Sequence, residues 1–410
     1  MINTARINPW WIVFAAATVL AFSMGVRLAT GLLVPNISLS LSASVADVSF
    51  SFAIQNLIWG AVSPLAGILA ERYGTARVLL VGTFLYSLGL AVAAIAETSS
   101  LFFVGNALLI GLGIGATTYP LVLAAVGKRF STGKRTLALG IASAGGSLGQ
   151  FLYALVLGSY APENGWQNTF LLFAASAVLV LLVIFLLKDT KPSKDSAEVV
   201  GQTVRPAFSW RTIGDALKVR EYQLLNIGFF VCGFHIAFFT VHLTGFVTYC
   251  GFLPRLAADS LALIGFMNIF GVIFIGWAGD KWHKPRLLTL IYGVRGMLIL
   301  LLLLLPKTES LIYGFSAIMG VLWLSTVPLT SGAVAQLFGT KNLASLFGVV
   351  MFSHQIGAFF GSWLGGLTYE WSGNYDMAII ISAGLALVAA LVHLPMTPER
   401  MQLRAGAQES

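Results

Sequence analysis

Twelve apolar runs, each about as long as a bilayer is thick, constrain this chain more than any other feature. A transmembrane helix needs about 20 consecutive apolar residues. The runs fall into two groups of six, at 9–34, 46–69, 76–96, 100–126, 136–159 and 166–187, and at 221–250, 258–279, 286–305, 310–334, 342–367 and 375–395. Only 10% of the 410 residues are charged, too few to cover the surface of a soluble domain. The pattern predicts an all-α membrane protein with twelve transmembrane helices.

A polar segment divides the two groups, and the basic residues orient them. The division predicts an N-terminal six-helix bundle over 1–188, a cytoplasmic linker over 189–220, and a C-terminal bundle over 221–410. If both termini are cytoplasmic, 20 of the 24 Lys and Arg residues lie on that side, against Arg255 and Lys307 on the other. Because Lys and Arg concentrate in cytoplasmic loops, we expect both termini in the cytoplasm.

The two groups also repeat one another. "GILAERYGTARVLL" (67–80) and "GWAGDKWHKPRLLT" (276–289) share Gly, an acid, a base, an aromatic residue and Arg at the same spacing. At an offset of 208 residues, glycines and a proline coincide elsewhere, for example Pro120 with Pro328 and Gly149 with Gly357. This predicts two halves related by a parallel repeat. The same offset pairs Arg27 with His235.

The stretch "GILAERYGTAR" resembles the loop 2–3 signature of the major facilitator superfamily, with Glu71 in place of the usual Asp. The resemblance covers the whole chain. It implies that superfamily's fold and a transporter, not an enzyme, that works as a monomer without a cofactor. It also implies a conformational gate of charged residues in the loops after spans two and eight: Glu71, Arg72, Arg77, Asp280, Lys281 and Arg286.

Within that superfamily the chain resembles the monocarboxylate-porter branch, whose bacterial members lie near the oxalate–formate antiporters. "GLGIGATTYPLVLAAVGKRFSTGKRTLALGIASAGGSLG" (111–149) is similar to its fourth span and the start of its fifth. The resemblance implies transport of a small carboxylate across a bacterial inner (plasma) membrane. However, the Asp/Arg pair of animal monocarboxylate transporters aligns with Asn268 and Val272, so the substrate and its coupling cannot be inherited.

Two arginines lie inside apolar runs. A charged side chain at membrane depth costs several kcal/mol, so it usually faces a watery cavity and marks a functional site. Arg27 and Arg295 are therefore candidates to bind a substrate carboxylate through bidentate guanidinium contacts. None of the 16 acidic residues lies in the middle of a run, and Asp47 comes nearest. Snorkelling is the alternative for Arg27, and a tether to carbonyls of another helix is the alternative for Arg295, the stronger candidate.

Histidines and uncharged polar residues complete the candidate site. His235 and His242 are two helical turns apart, and His354 stands beside Gln355 in run eleven. Each histidine could bind the anion or carry a coupled proton, or could bond neighbouring helices as a neutral ring. Their spacing does not favour a metal site. The substrate-binding candidates are Arg295, Arg27, Tyr119, His235, Asn268, His354 and Gln355, and the proton-coupling candidates are His235, His242 and His354.

These residues favour a secondary transporter of small organic anions such as lactate or pyruvate. We expect alternating access between two halves, with a proton as co-substrate and the lipid bilayer as surroundings, and no nucleic-acid partner. A dicarboxylate or oxalate-type anion exchanger remains open, as does a drug or siderophore exporter, although the buried acid and span-four Arg typical of such exporters are absent. An intramembrane enzyme is disfavoured because no catalytic signature is present.

Overall fold

Every regular element described is helical. The structure is a computed structural model that describes residues 8–127, 129, 132–187, 210–338, 343–397, 399 and 401. The first half comprises α1 (Pro9–Thr30, prolonged through Gly31–Leu33 into Val34–Ser40), α2 (Val45–Tyr73), α3 (Thr75–Ala94), α4 (Ser99–Phe103, Val104–Leu109, Ile110–Thr117 and Tyr119–Gly127), α5 (132–164) and α6 (166–183, prolonged by Ile184–Leu187). A linker helix, Trp210–Leu217, precedes the second half. That half comprises α7 (Arg220–Tyr249), α8 (Pro254–Lys281), α9 (Lys284–Leu304), α10 (Glu309–Leu322 and Thr326–Phe338), α11 (Leu343–Ser372) and α12 (Asp376–His393).

The membrane-spanning character of these helices agrees with the sequence. Ten stretches of the described chain are long and apolar enough to cross a membrane. One of them, Gly140–Leu187, contains both α5 and α6, because the backbone turns at Gly165 with φ 78° and ψ 168°. Glycine adopts that conformation without the steric penalty of a Cβ. The helix α11, with His354 and Gln355 in its middle, is 30 residues long, which is enough to cross a membrane. The prediction of an all-α fold with twelve long helices is confirmed.

Equivalent glycines bring equivalent helices together in the two halves. In the first half α1 packs along α5, and a Cβ at Gly149 would collide with the backbone of Ala21. In the second half α7 packs along α11, and a Cβ at Gly357 would collide with the backbone of Phe230. Small residues allow helix backbones to approach closely in membranes. The matching crossings confirm the parallel repeat.

Two seams join the halves, one between α2 and α11 and the other between α5 and α8. We call the end of the bundle that carries the linker helix the linker end, and the opposite end the distal end. Towards the distal end both seams are tight. A Cβ at Gly366 would lie 3.0 Å from the Cα of Ala46, and one at Gly158 would lie 2.8 Å from the Cβ of Ala258.

Towards the linker end, glycines on the same four helices have open surroundings. Apart from its own helix, no described heavy atom lies within 4 Å of a Cβ placed at Gly67 on α2, Gly348 on α11, Gly140 on α5 or Gly276 on α8. These four glycines form two pairs related by the repeat, at offsets of 209 and 208 residues. Among the described glycines, the close approaches between the halves are therefore found towards the distal end.

The glycine contacts yield a paired prediction. Gly149→Val places branched carbons into the backbone of α1, whereas Gly140→Val, on the same helix, points into open space. We expect Gly149→Val to lower the melting temperature of the purified protein or to abolish folding, and Gly140→Val to leave it nearly unchanged. Fluorescence-detected size-exclusion chromatography after heating measures both, and equal effects would contradict the helix crossing described.

Candidate functional site

Arg27 is buried deep in the bundle with most of its hydrogen-bonding capacity unused. Its side chain is 3% exposed, and its Nη2 donates to Oδ1 of Asn56 at 2.8 Å. The guanidinium carbon lies 5.8 Å from the ring centre of Phe52, within cation–π range. In the part of the chain that the structure describes, neither Nε nor Nη1 has a hydrogen-bond partner. A permanent cation is thus held at membrane depth by one neutral amide and one aromatic ring.

Asn56 connects this cation to the other half of the molecule. Its Nδ2 donates to Oγ of Ser362 on α11 at 3.2 Å and approaches the carbonyl oxygen of Ala358 at 3.4 Å. The carbonyl oxygen of Ser362 in turn lies 2.7 Å from Nε2 of His242 on α7. Since a carbonyl oxygen can only accept, His242 carries its proton on Nε2 here. The contacts therefore run from Arg27 through α2 and α11 to a histidine of the second half.

Arg295 occupies a different setting, in which its two Nη groups meet protein acceptors and only Nε lacks a partner among the described residues. Its Nη2 donates to the carbonyl oxygens of Leu322 and Trp323, and its Nη1 approaches Sγ of Cys232 at 3.6 Å. Those two carbonyls are at the interruption of α10 between Leu322 and Thr326, where the helical hydrogen-bond ladder ends. The contacts match the inter-helix tether that the sequence left open for Arg295.

Asn268 joins three helices. Its Nδ2 donates to Oγ of Ser147 on α5 at 2.9 Å, across the seam between the halves. Its Oδ1 accepts from the backbone nitrogen of Leu324, inside the interruption of α10, at 3.1 Å. Asn268 thus ties the second seam to the same interruption that Arg295 contacts.

The remaining candidates are distributed over the second half and the seams. Nε2 of His235 lies 2.9 Å from the carbonyl oxygen of Ser382 on α12, so this ring points away from α2. His354 packs against the ring of Phe229 at 5.0 Å, and its Nδ1 has no partner among the described residues. The structure thus gives the three histidines different neighbours.

Gln355 and Tyr119 lie beside small residues of neighbouring helices. The Cβ of Gln355 would lie 2.9 Å from a Cβ at Gly60 of α2, and both side-chain amide atoms are buried without a described partner. Tyr119 is half-buried, and its hydroxyl would lie 2.7 Å from a Cβ at Gly146 of α5.

The proposed gate is described only in part. The side chains of Glu71, Arg72 and Asp280 lie outside the described residues. Of the other three, Arg77 and Arg286 are exposed, and Nζ of Lys281 lies 4.2 Å from a ring centre of Trp277. Burial, with the neighbouring Arg286 and Lys284, holds the pKa of His283 in the loop between α8 and α9 below its usual range. The loop is therefore locally positive, and its role as a gate stays a prediction.

Asn56 is a contact of Arg27 that is absent from the candidates named from the sequence. A usable signal was present. In two consecutive antiparallel helices, residues at equal distances from the connecting loop lie side by side. Arg27 and Asn56 are such a pair, because their midpoint falls at residues 41–42, inside the α1–α2 connection. A second missed feature, the interruption of α4 at Thr118, is flagged by Pro120, and Pro328 marks the equivalent place in α10.

Comparison with known proteins places these features in context. The family model described as Major Facilitator Superfamily matches residues 13–331. Monocarboxylate transporter 13 of Rattus norvegicus is 25% identical over 396 residues, covering 94% of this chain and 89% of the relative. Human monocarboxylate transporter 11 is 26% identical over 408 residues, covering 94% and 82%.

A bacterial relative and a solved structure extend the comparison. The uncharacterized MFS-type transporter YcxA of Bacillus subtilis is 24% identical over 359 residues, covering 84% of this chain and 85% of its own. The crystal structure of a D-xylose–proton symporter superposes with a TM-score of 0.73 at 16% identity, covering 95% of this chain and 98% of that one. The structural likeness, at that identity, concerns the fold alone.

The different settings of the two arginines predict opposite effects on stability. Arg295→Gln leaves two buried carbonyls without their donor, and each loss costs about 1–3 kcal/mol. Arg27→Gln removes a buried charge whose donors are mostly unused, so the melting temperature of the protein without substrate should stay the same or rise. The melting temperatures of the two variants, measured beside the wild type, test this difference. Equal destabilisation by both variants would contradict the different hydrogen-bond settings of Arg27 and Arg295.

Proposed function

Because this chain belongs to the major facilitator superfamily, it is a multi-pass membrane transporter, and we propose that its cargo is a small monocarboxylate bound by Arg27. The observation that carries the proposal is the unpaired charge of Arg27. Nε and Nη1 are buried and open, and no described carboxylate contacts the guanidinium. A buried charge without a counter-ion is strongly unfavourable, so a substrate carboxylate that neutralises it would bind with a large electrostatic gain.

The position of Arg27 also suits a transported ligand. Its partner Asn56 contacts α11, so the cation lies where the halves meet. A site between two halves can be exposed to either side of the membrane as the halves rock. The monocarboxylate transporters among the relatives support a carboxylate substrate. The concentration of Lys and Arg residues in the loops on the linker side supports a linker end that faces the cytoplasm.

Arg295 takes a supporting role in this proposal. Its Nη donors are directed to α10 and Cys232, so a carboxylate would have to displace those contacts. Arg295 and Asn268 together satisfy backbone groups at the interruption of α10, which lies beside the α5–α8 seam.

Proton symport is the coupling that we favour, since an anion and a proton together move no net charge. Of the three candidate histidines, His242 is the one connected to Arg27, through Ser362 and Asn56. Its Nδ1 has no partner among the described residues and is free to accept a proton when the site is hydrated. His242 is therefore our candidate proton carrier, with His235 and His354 as alternatives.

Binding tests the proposal most simply. We expect a panel of small carboxylates that includes lactate, pyruvate, oxalate and succinate to contain at least one acid that raises the melting temperature of the wild type. Arg27→Gln should lose that shift, because a charge-assisted hydrogen bond contributes about 1.5–3 kcal/mol. Arg295→Gln, although less stable, should keep it.

Two results would contradict the proposal. If no carboxylate stabilises the wild type, the cargo is not a carboxylate. If the shift survives Arg27→Gln and vanishes in Arg295→Gln, the binding arginine is Arg295. Uptake into proteoliposomes with and without a pH gradient then separates proton symport from anion exchange, and His242→Gln tests the proton carrier.

A further inference from the structure

The interruption of α4 creates a helix N-terminus inside the membrane. Ile110–Thr117 ends, Thr118 adopts an extended conformation with φ −99° and ψ −175°, and Tyr119–Gly127 begins. The backbone nitrogen of Val122 bonds to the carbonyl oxygen of Thr118 at 3.3 Å, which marks the first turn of the new helix. The first N–H groups of a helix have no partner within it and carry the positive end of its dipole. Because α4 runs from the distal end to the linker end, this N-terminus faces the distal end.

Two independent helices place Arg27 about one turn from that N-terminus, on its distal side. On α1, Oγ of Ser23 donates to the carbonyl oxygen of Thr117 at 3.1 Å, and Arg27 follows four residues later. On α2, Nε1 of Trp59 donates to Oγ1 of Thr118 at 3.3 Å, and Asn56, which binds Arg27, precedes it by three residues. Residues three or four apart share a helix face, and one turn rises about 5.4 Å. Both helices therefore place Arg27 about one turn from the start of Tyr119–Gly127, with its guanidinium between Asn56 and the ring of Phe52.

The arrangement brings Arg27 and the positive end of Tyr119–Gly127 together, and the carbonyl end of Ile110–Thr117 lies at the same interruption with its Thr117 oxygen taken up by Ser23. Arg27 is 3% exposed, and its Nε and Nη1 are unpartnered in the described chain. Thr118 occupies the N-cap position, where a hydroxyl oxygen commonly accepts from the helix, but here the indole of Trp59 donates to that oxygen. A full charge and the positive end of a helix repel each other unless an anion lies between them.

The second half shows what an occupied interruption looks like. Thr326, 208 residues after Thr118, begins the second part of α10. There Arg295 donates to the carbonyls before the interruption, and Asn268 accepts from a backbone nitrogen within it. At the offset of 209 residues that pairs Gly67 with Gly276, the equivalents of Asn268 and Arg295 in the first half are Trp59 and Tyr86. Trp59 donates to Oγ1 of Thr118 and has no side-chain acceptor for a backbone nitrogen, and the hydroxyl of Tyr86 donates to the carbonyl oxygen of Ser23.

We propose that the substrate carboxylate lies between Arg27 and the N-terminus of Tyr119–Gly127, so that the backbone N–H groups of Tyr119 and Leu121 form the second half of the anion site, Pro120 having none. The inference depends on the proposed function and adds a recognition element to it. The site supplies one full positive charge and about half a charge from the helix, which suits a compact group with one negative charge. It belongs entirely to the first half, and it would tie α1, α2 and α4 together when the carboxylate is bound.

A matched pair of substitutions tests the site. Thr118→Asp places a negative charge at the helix N-terminus, where it competes with the substrate, whereas Thr118→Asn has nearly the same shape and no charge. Using pyruvate, or the acid of the panel that stabilises the wild type most, we expect Thr118→Asp to weaken binding at least about tenfold. Thr118→Asn should stay within about threefold of the wild type. Equal affinities of the two variants would overturn the inference.

A second measurement covers the case in which Thr118→Asp does not fold. In wild-type protein labelled with 15N-tyrosine, the amide resonance of Tyr119 is identified by its change in Tyr119→Phe. It should shift when the same acid is titrated in, and an unmoved resonance at saturation would overturn the inference. The proposed function fails separately, if the wild type binds no carboxylate or if Arg27→Gln binds it normally.

Discussion

The contact between Arg27 and Asn56 is the interaction on which this account depends. A guanidinium at membrane depth needs compensation, and the described chain offers it one amide oxygen and one aromatic ring. The amide fixes one side of the cation and leaves the other donors open. Because Asn56 also contacts α11, the orientation of the cation depends on how the two halves meet. Binding and conformation are therefore physically connected at this point, as alternating access requires.

The molecule combines a symmetric scaffold with an asymmetric polar interior. The close crossings at Gly149 and Gly357 are equivalent, and α4 and α10 are interrupted at equivalent places. The polar side chains that fill these places differ. In the second half, Arg295 and Asn268 use the interruption for the protein's own stability. In the first half, we propose that the equivalent space receives the substrate, so that one half recognises the anion while the other stabilises its own interruption.

The fold was predictable because the bilayer restricts the possible structures. Apolar length predicts helices, and repeated glycines predict equivalent crossings, so both followed from the sequence. The partners of individual polar side chains did not follow. Arg295 ranked above Arg27 as a candidate because its depth was visible in the sequence, whereas the carbonyls of Leu322 and Trp323 are freed only by the interruption of α10. Pro120 and Pro328 signalled both interruptions, but the side chains that would meet them depend on helix rotation, which hydropathy does not define.

The most direct measurement of the central claim is the Nε resonance of Arg27 in protein labelled with 15N-arginine. The signals of Arg27 and Arg295 are identified by their loss in the respective Gln variants. On addition of the carboxylate that stabilises the wild type most, we expect the Arg27 signal to shift, because Nε gains its missing acceptor. The Arg295 signal should stay in place, because its Nε, although also without a described partner, lies outside the proposed carboxylate site. A shift of the Arg295 signal with Arg27 unmoved would contradict the account.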